Sequence, residues 1–151
     1  MRTVLAHGVF ELFHVGHLRY LQMARALGDR LIVSVTSDKW AIKGPGRPIF
    51  SHRDRMEMLC HLDFIDNVIL SDTENSVPII KMHKPEIYAK GADYKNGDSS
   101  GNLDLERRAV ESYGGKLVIL HPAITHSSTA ILTGKLLADR IAAVVPADEI
   151  E

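Results

Sequence analysis

The chain has 151 residues, 45% of them hydrophobic and 25% charged, with eleven glycines and six prolines, an ordinary globular composition that excludes disordered, collagenous and coiled-coil classes. Eighteen Lys and Arg against nineteen Asp and Glu leave a net charge of -1, so no global field draws it to nucleic acid or to an anionic membrane, and any anion site is local. A single cysteine, Cys60, excludes an internal disulfide, and no apolar run approaches the roughly 18 residues of a membrane span; the expectation is one soluble, cytoplasmic domain.

The opening MRTVLAHGVF has one basic residue and a short apolar run broken by His-Gly, so it reads as a strand and not as a signal peptide. Short β-branched runs then alternate with segments of helical periodicity. Strands are expected at Thr3 to His7, Leu31 to Val35, Asn67 to Leu70, Ile87 to Ala89 and Leu117 to Leu120. Helices are expected at Val15 to Leu27, Ser51 to Leu62, Val77 to Met82, Leu103 to Tyr113 and Ser127 to Val144, the first closing at Gly28 as a C-cap. This alternation predicts an α/β fold, a doubly wound, Rossmann-like five-stranded parallel sheet. Two loops are long for that architecture, Thr36 to Phe50 with KGPGRP and Gly91 to Asn102 with GADYKNGDSSGN; loops of this length in a compact domain commonly carry binding elements. The last helix extends through Thr133 to Val145 with an apolar stripe of Leu136, Leu137, Ile141, Val144 and Val145, suited to core or to a homodimer interface, and the tail from Pro146 to Glu151 is expected to fray.

The densest signal follows the first strand: His7-Gly8-Val9-Phe10-Glu11-Leu12-Phe13-His14-Val15-Gly16-His17. In an open parallel sheet ligands sit beyond the carboxyl ends of the strands, and a turn that opens a helix offers backbone N–H groups to phosphate. The turn with Gly8, Val9, Phe10 and Gly16 is in that position, and histidines there suggest an anion. His14 and His17 lie three apart, so in the first turn of a helix their imidazoles point the same way. The same pair is also compatible with capping and packing, or with metal ligation at HxxH spacing. Zinc, however, wants a third protein ligand and commonly His at i, i+4 with a glutamate base, which this segment lacks; no protein metal site is expected.

The segment GVFELFHVGHLRYL resembles the GxFDxxHxGH signature of the cytidylyltransferase-like nucleotidyltransferases. The resemblance runs from Thr3 to about Leu132. It implies that His14 and His17 bind the nucleoside triphosphate and stabilise the pentacovalent α-phosphorus. The Ser/Thr cluster of the family is matched by His126-Ser127-Ser128-Thr129, and hydroxyls at a helix start suit β and γ phosphates. The stretches ALGDRLIV, KGPGRP and Lys90-Gly91-Ala92-Asp93-Tyr94 are most similar to the branch that adenylylates D-glycero-β-D-manno-heptose 1-phosphate. Members of that branch are often fused to a sugar kinase, whereas this chain begins directly at its first strand and reads as a stand-alone transferase. A sister branch, the glycerol-3-phosphate cytidylyltransferases, is the alternative, and a non-catalytic nucleotide-binding module is a third. Glu11 stands where the family has Asp, His126 where the heptose branch has Arg and the glycerol branch Ile, and Pro122-Ala123 where the glycerol branch has Arg-Thr.

Nucleotidyl transfer needs the triphosphate charge offset, the α-phosphorus held in line and pyrophosphate stabilised as it leaves. Lys43 is the candidate for bridging the acceptor phosphate and the α-phosphate. Arg47 and Arg55 are planar, bidentate candidates for substrate or triphosphate. The resemblance puts Asp93 on the ribose or base; Lys90 is expected on the same rim, and Tyr94 to stack on the base or close the pocket. The attacking phosphate monoester is already anionic, so no general base is required, and Mg²⁺ is expected to arrive with the triphosphate. Partners are then the nucleoside triphosphate, a small sugar phosphate and a second copy in a homodimer, with no nucleic acid and no membrane.

Overall fold

Ten elements alternate along the chain: β1 (Thr3–Gly8), α1 (Val15–Ala26), β2 (Arg30–Thr36), α2 (His52–Cys60), β3 (Asn67–Ser71), α3 (Val77–His83), β4 (Ile87–Gly91), α4 (Asn102–Glu111), β5 (Lys116–Leu120) and α5 (Ser128–Leu132). The structure, a computed structural model, describes residues 1–42, 44–91, 100–123, 128–135, 138 and 141–142. All five strands pair in parallel in the order β3-β2-β1-β4-β5. The chain winds outward from β1 through β2 to β3, then crosses back to β4 and β5. The strand order therefore reverses between β1 and β4, and the crevice at their carboxyl ends is the topological switch point where such sheets bind ligands.

Alternation along the strands divides the core in two. Val4, Ala6, Leu31, Val33, Val35, Ile87 and Ala89 pack with Tyr20, Leu21 and Ala24 of α1 and Leu59 of α2. Leu5, Ile32 and Tyr88 meet Ile80 of α3 and Ala109 and Val110 of α4 on the other face. Both faces are covered, which is why the strands read as near-continuous apolar runs. No helix among the described residues is long and apolar enough to cross a membrane.

The last helix departs from expectation. Instead of one element from Ser127 to Val144, α5 ends at Leu132 and Gly134 takes φ 75°, a left-handed conformation that glycine enters without steric cost and that ends a helix. Helical backbone resumes at Lys135. Of the apolar stripe, Ile141 is described and is 41% exposed; Leu136, Leu137, Val144 and Val145 lie outside the described residues.

Gly28 is glycine for a different reason from the one its position suggests. Leu27 closes α1 in a right-handed conformation, and the turn then presses against the start of β1, with the Asp29 N–H donating to the Arg2 carbonyl at 2.8 Å. A Cβ on Gly28 would stand 2.6 Å from that carbonyl and 2.8 Å from Val4 Cγ2. Gly28→Ala is expected to destabilise by about 1–3 kcal/mol, the usual cost of overpacking. A urea melt would register it, and an unchanged midpoint would show that the turn has room.

The carboxyl end of the α3/α4 face is polar. His7 pairs in register with Ser34, and Thr36 with Ser71. His7 Nδ1 lies 2.7 Å from Ser34 Oγ and Nε2 lies 3.1 Å from Thr36 Oγ1, so a neutral ring with one N–H and one lone pair satisfies both hydroxyls. Burial, reinforced by the nearby Lys90 ammonium and opposed more weakly by the Ser34 bond, lowers the His7 pKa to about 3. In the unfolded chain the ring titrates near 6.5. The stability due to neutral His7 is thus complete above pH 6.5 and is lost as pH falls towards 3, at up to about 1.4 kcal/mol per pH unit for one proton. His7→Gln is expected to flatten the fall of the urea midpoint between pH 6.5 and 4. Parallel wild-type and variant curves over that window would overturn this.

Candidate active site

β1 gives out at Gly8, and the chain turns through Phe10, whose φ is 51°, an uncommon conformation for a bulky residue. The turn lays the Phe10 ring against Gly8, where a Cβ would come within 2.9 Å of ring atom Cζ. The same ring meets His17 edge-on at 5.4 Å, and Phe13 lies 5.6 Å from His17 on another side. Two phenylalanines thus brace the second histidine of the pair.

The two histidines are locked by the start of α1. His14 is the N-cap residue, its Nδ1 accepting from the Gly16 N–H at 3.1 Å, while His17 Nδ1 accepts from the His14 N–H at 3.3 Å. This is a capping box built from two imidazoles in place of the usual hydroxyl and carboxamide. An Nδ1 that accepts from an amide carries no proton, so the hydrogen-bond network assigns the proton of each neutral ring to Nε2. The rings stack with centroids 3.8 Å apart and planes inclined by 21°. Two Nε2–H groups therefore stand side by side at the switch point. The Gly16 N–H is part of this lock.

The arginines are held as firmly. Arg55 is only 3% exposed and donates to the carbonyls of Phe50 (3.1 Å), Val9 (2.7 Å) and Thr36 (2.9 Å) and to Asp38 Oδ1 (2.8 Å). Three of its five N–H groups tie α2 to the ends of β1 and β2, and a fourth holds the Phe50 carbonyl just ahead of the helix. Arg55 thus staples the turn at Val9. Asp38 is held in turn by His52, whose N–H donates to Oδ1 at 2.8 Å while its Nδ1 accepts from the Asp38 N–H at 3.1 Å. Arg47 meets Glu11 through two N–H faces, Nε lying 2.8 and 3.0 Å from the two carboxylate oxygens and Nη2 also bonded to Oε2. This contact raises the Arg47 pKa above its ordinary value, chiefly through the hydrogen bond. Its Nη1 donates to Thr129 Oγ1 at 3.3 Å, and Ser128 Oγ donates to the Leu12 carbonyl at 3.2 Å. The start of α5 is thereby tied to the histidine turn.

Lys90 is elsewhere. Expected on the rim, it is 3% exposed, with Nζ 3.4 Å from Glu106 Oε1 on α4 and 5.6 Å from the Tyr88 ring. Glu106 Oε2 also accepts from the Ser76 N–H at 2.7 Å, so the pair joins β4, α4 and the start of α3. The physical reason is alternation: Lys90 follows Ala89 on the strand and so points to the α3/α4 face, beneath the crevice. Lys43, Asp93, Tyr94 and Ser127 lie outside the described residues.

The structure thus gathers His14, His17, Gly8, Val9, Phe10, Gly16, Arg47, Arg55, Ser128 and Thr129 around one turn. Among the described residues no group of three or more His, Cys, Asp or Glu is arranged to hold a metal ion. A cavity of about 440 Å³ flanks the turn on its α2 side, between Phe10, Phe13, Phe50 and Met58, with Asp54 and Glu57 on its wall. Its lining is mostly apolar and acidic, with Arg55 and His61 as the basic residues. Sequence reading gave Glu11 and Asp38 no site role. The available signals were the conspicuous acid inside the turn motif and the Thr36-Ser37-Asp38 polar run at the end of an apolar strand.

Comparison with known proteins agrees with this geometry. The profile of the family described as cytidylyltransferase-like matches residues 5–134. The bifunctional protein HldE of Pseudomonas syringae pv. syringae is 40% identical over 133 residues, 87% of this chain and 27% of that protein. HldE of Syntrophotalea carbinolica is 39% identical over 132 residues, 86% of this chain and 26% of that one. The chain thus spans about a quarter of the length of these relatives. The crystal structure of a lipopolysaccharide core biosynthesis protein from Thermoplasma volcanium superposes with a TM-score of 0.67 at 28% identity, covering 83% of this chain and 99% of that one. With the motif, the switch-point placement and the matched profile in agreement, the chain belongs to the cytidylyltransferase-like family.

Proposed function

We propose that the chain transfers the AMP group of MgATP to D-glycero-β-D-manno-heptose 1-phosphate, releasing pyrophosphate and forming an ADP-sugar. The observation that carries the chemistry is the reciprocal histidine cap, which offers two fixed Nε2–H donors at the switch point. The choice of acceptor is supported by the KGPGRP and KGADY stretches, by the HldE relatives and by the lipopolysaccharide core protein.

An acceptor phosphate oxygen attacks the α-phosphorus, a new P–O bond forms in line, and the bond from the α-phosphorus to the bridging oxygen breaks. The electron pair leaves with pyrophosphate. The two Nε2–H groups donate to the equatorial oxygens, where charge accumulates in the transition state. Ser128 and Thr129 lie on the leaving-group side, and Lys43 follows the acceptor and α-phosphates. Mg²⁺ enters as part of the nucleotide substrate and offsets the charge of the β and γ phosphates; ions of this kind need few protein carboxylates.

The deciding assay is pyrophosphate release with Mg²⁺, pairing ATP, CTP, GTP or UTP with the heptose 1-phosphate, glycerol 3-phosphate or hexose 1-phosphates. ATP with the heptose is the expected pair. CTP with glycerol 3-phosphate would replace the reading with the sister activity, and silence in folded protein that binds nucleotide would replace it with a binding role. His14→Asn keeps an excellent N-cap acceptor but loses Nε2–H, and His17→Ala removes the second donor. Each is expected to lower kcat by about two orders of magnitude, the first with little change in melting temperature. Near-normal turnover would remove that histidine from the transition state.

A further inference from the structure

Three segments converge on the histidine turn from distant parts of the chain: the turn itself, the loop after β2 and the first turn of α5. One side chain touches all three. Arg47 belongs to the loop, its Nε and Nη2 edge faces the Glu11 carboxylate in the turn, and its Nη1 reaches Thr129 of α5. The guanidinium is planar, so the two oxygens of Glu11, by holding one edge, fix where the remaining donor points. Glu11 is 2% exposed, a burial that an unpaired carboxylate would not tolerate. Its extra methylene relative to Asp gives the reach this contact uses. Near its tip the loop turns through Gly44 and Gly46, which take φ 153° and 74° with nothing near their Cβ positions, so Arg47 is the point at which this part of the loop is fixed to the turn.

We propose that Glu11 is a positioning residue for nucleotidyl transfer, acting through Arg47 to fix the distance between the histidine pair and the Ser128-Thr129 turn. The two halves of a triphosphate site then come from separate elements whose spacing is set by one buried carboxylate. Arg47 in this role is the strut and not a counter-charge for the acceptor. The proposal rests on the nucleotidyltransferase activity and not on the identity of the sugar.

The test measures kcat and both KM values for wild type, Glu11→Gln, Arg47→Ala, Arg47→Lys and the Glu11→Gln/Arg47→Ala double variant, with the substrate pair that wild type turns over. Glu11→Gln and Arg47→Ala are each expected to lower kcat/KM for the nucleotide about tenfold or more, leaving KM for the acceptor within about twofold. The double variant is expected to lose less than the product of the two single losses, because both substitutions break the same Glu11–Arg47 contact. Arg47→Lys keeps the charge but not the fork, and is expected to fall with Arg47→Ala. Glu11→Asp, which restores a carboxylate at shorter reach, is expected to lie between Glu11→Gln and wild type. Multiplying losses in the double variant, a near-normal Arg47→Lys or a selective rise in acceptor KM would each overturn the proposal. If Arg47→Ala fails to fold, Arg47→Lys and Glu11→Gln carry the test. If wild type turns over no pair in the panel, the substrate reading has failed, and the same variants are compared by MgATP affinity in calorimetry, where an unchanged Kd in Glu11→Gln would sink the strut.

Discussion

The site depends on an exchange of hydrogen bonds that would pass for ordinary helix capping. An α-helix begins with four backbone N–H groups that have no partner within it. Here two side chains at the start of α1 take up such donors, and both are imidazoles. Satisfying the helix fixes each ring by its Nδ1, and a neutral ring fixed by Nδ1 carries its proton on Nε2. The tautomer, the orientation and the stacking of His14 on His17 all follow from helix initiation. A pair of serines would cap as well but would bring no second polar edge. The cost of preorganising the donors is thus met when the protein folds, not when the substrate binds, which is the condition for strong electrostatic stabilisation of a transition state.

Around that pair three strong cations among the described residues are compensated within the protein. Arg47 is paired with Glu11, Arg55 with Asp38 and Lys90 with Glu106. Each pair joins different elements: turn to loop, strand end to helix, strand to helix. An ion pair with at least one buried partner adds little net stability over apolar packing, yet it penalises arrangements that separate its partners. Three such pairs at one end of one sheet restrain the relative placement of the segments, which a reaction sensitive to small displacements requires.

The sequence shows the architecture clearly and the pairing hardly at all. Every strand is legible because a sheet covered on both faces demands unbroken apolar runs, and the histidine turn is legible because its residues are contiguous. Gly134 breaks the last helix unannounced, since the apolar stripe continues past it and periodicity outweighs one glycine. The three cations read as ligand contacts because basic residues beside a phosphate site invite that reading. The acidic partners they meet within the protein are 36, 17 and 16 positions away, on other elements, and no local pattern links them. Lys90 shows the limit best: strand alternation puts it on the face away from α1, but only the packing of α4 places Glu106 there to receive it.

This division of labour bears on how a chain of net charge -1 handles a triphosphate. A cluster of uncompensated cations would hold the ground-state nucleotide and the transition state almost equally, and uniform binding of that kind lowers KM without raising kcat. Neutral N–H donors behave differently, because the energy of a hydrogen bond depends on direction and on the charge of the oxygen it meets. As the α-phosphorus passes through its five-coordinate geometry, its equatorial oxygens move into the plane and charge redistributes among them. Donors fixed beforehand at such positions would gain more from the transition state than from the substrate. In the proposed reaction the arginines therefore contribute more by keeping the two imidazoles and the hydroxyl turn in register than by adding positive charge to the site.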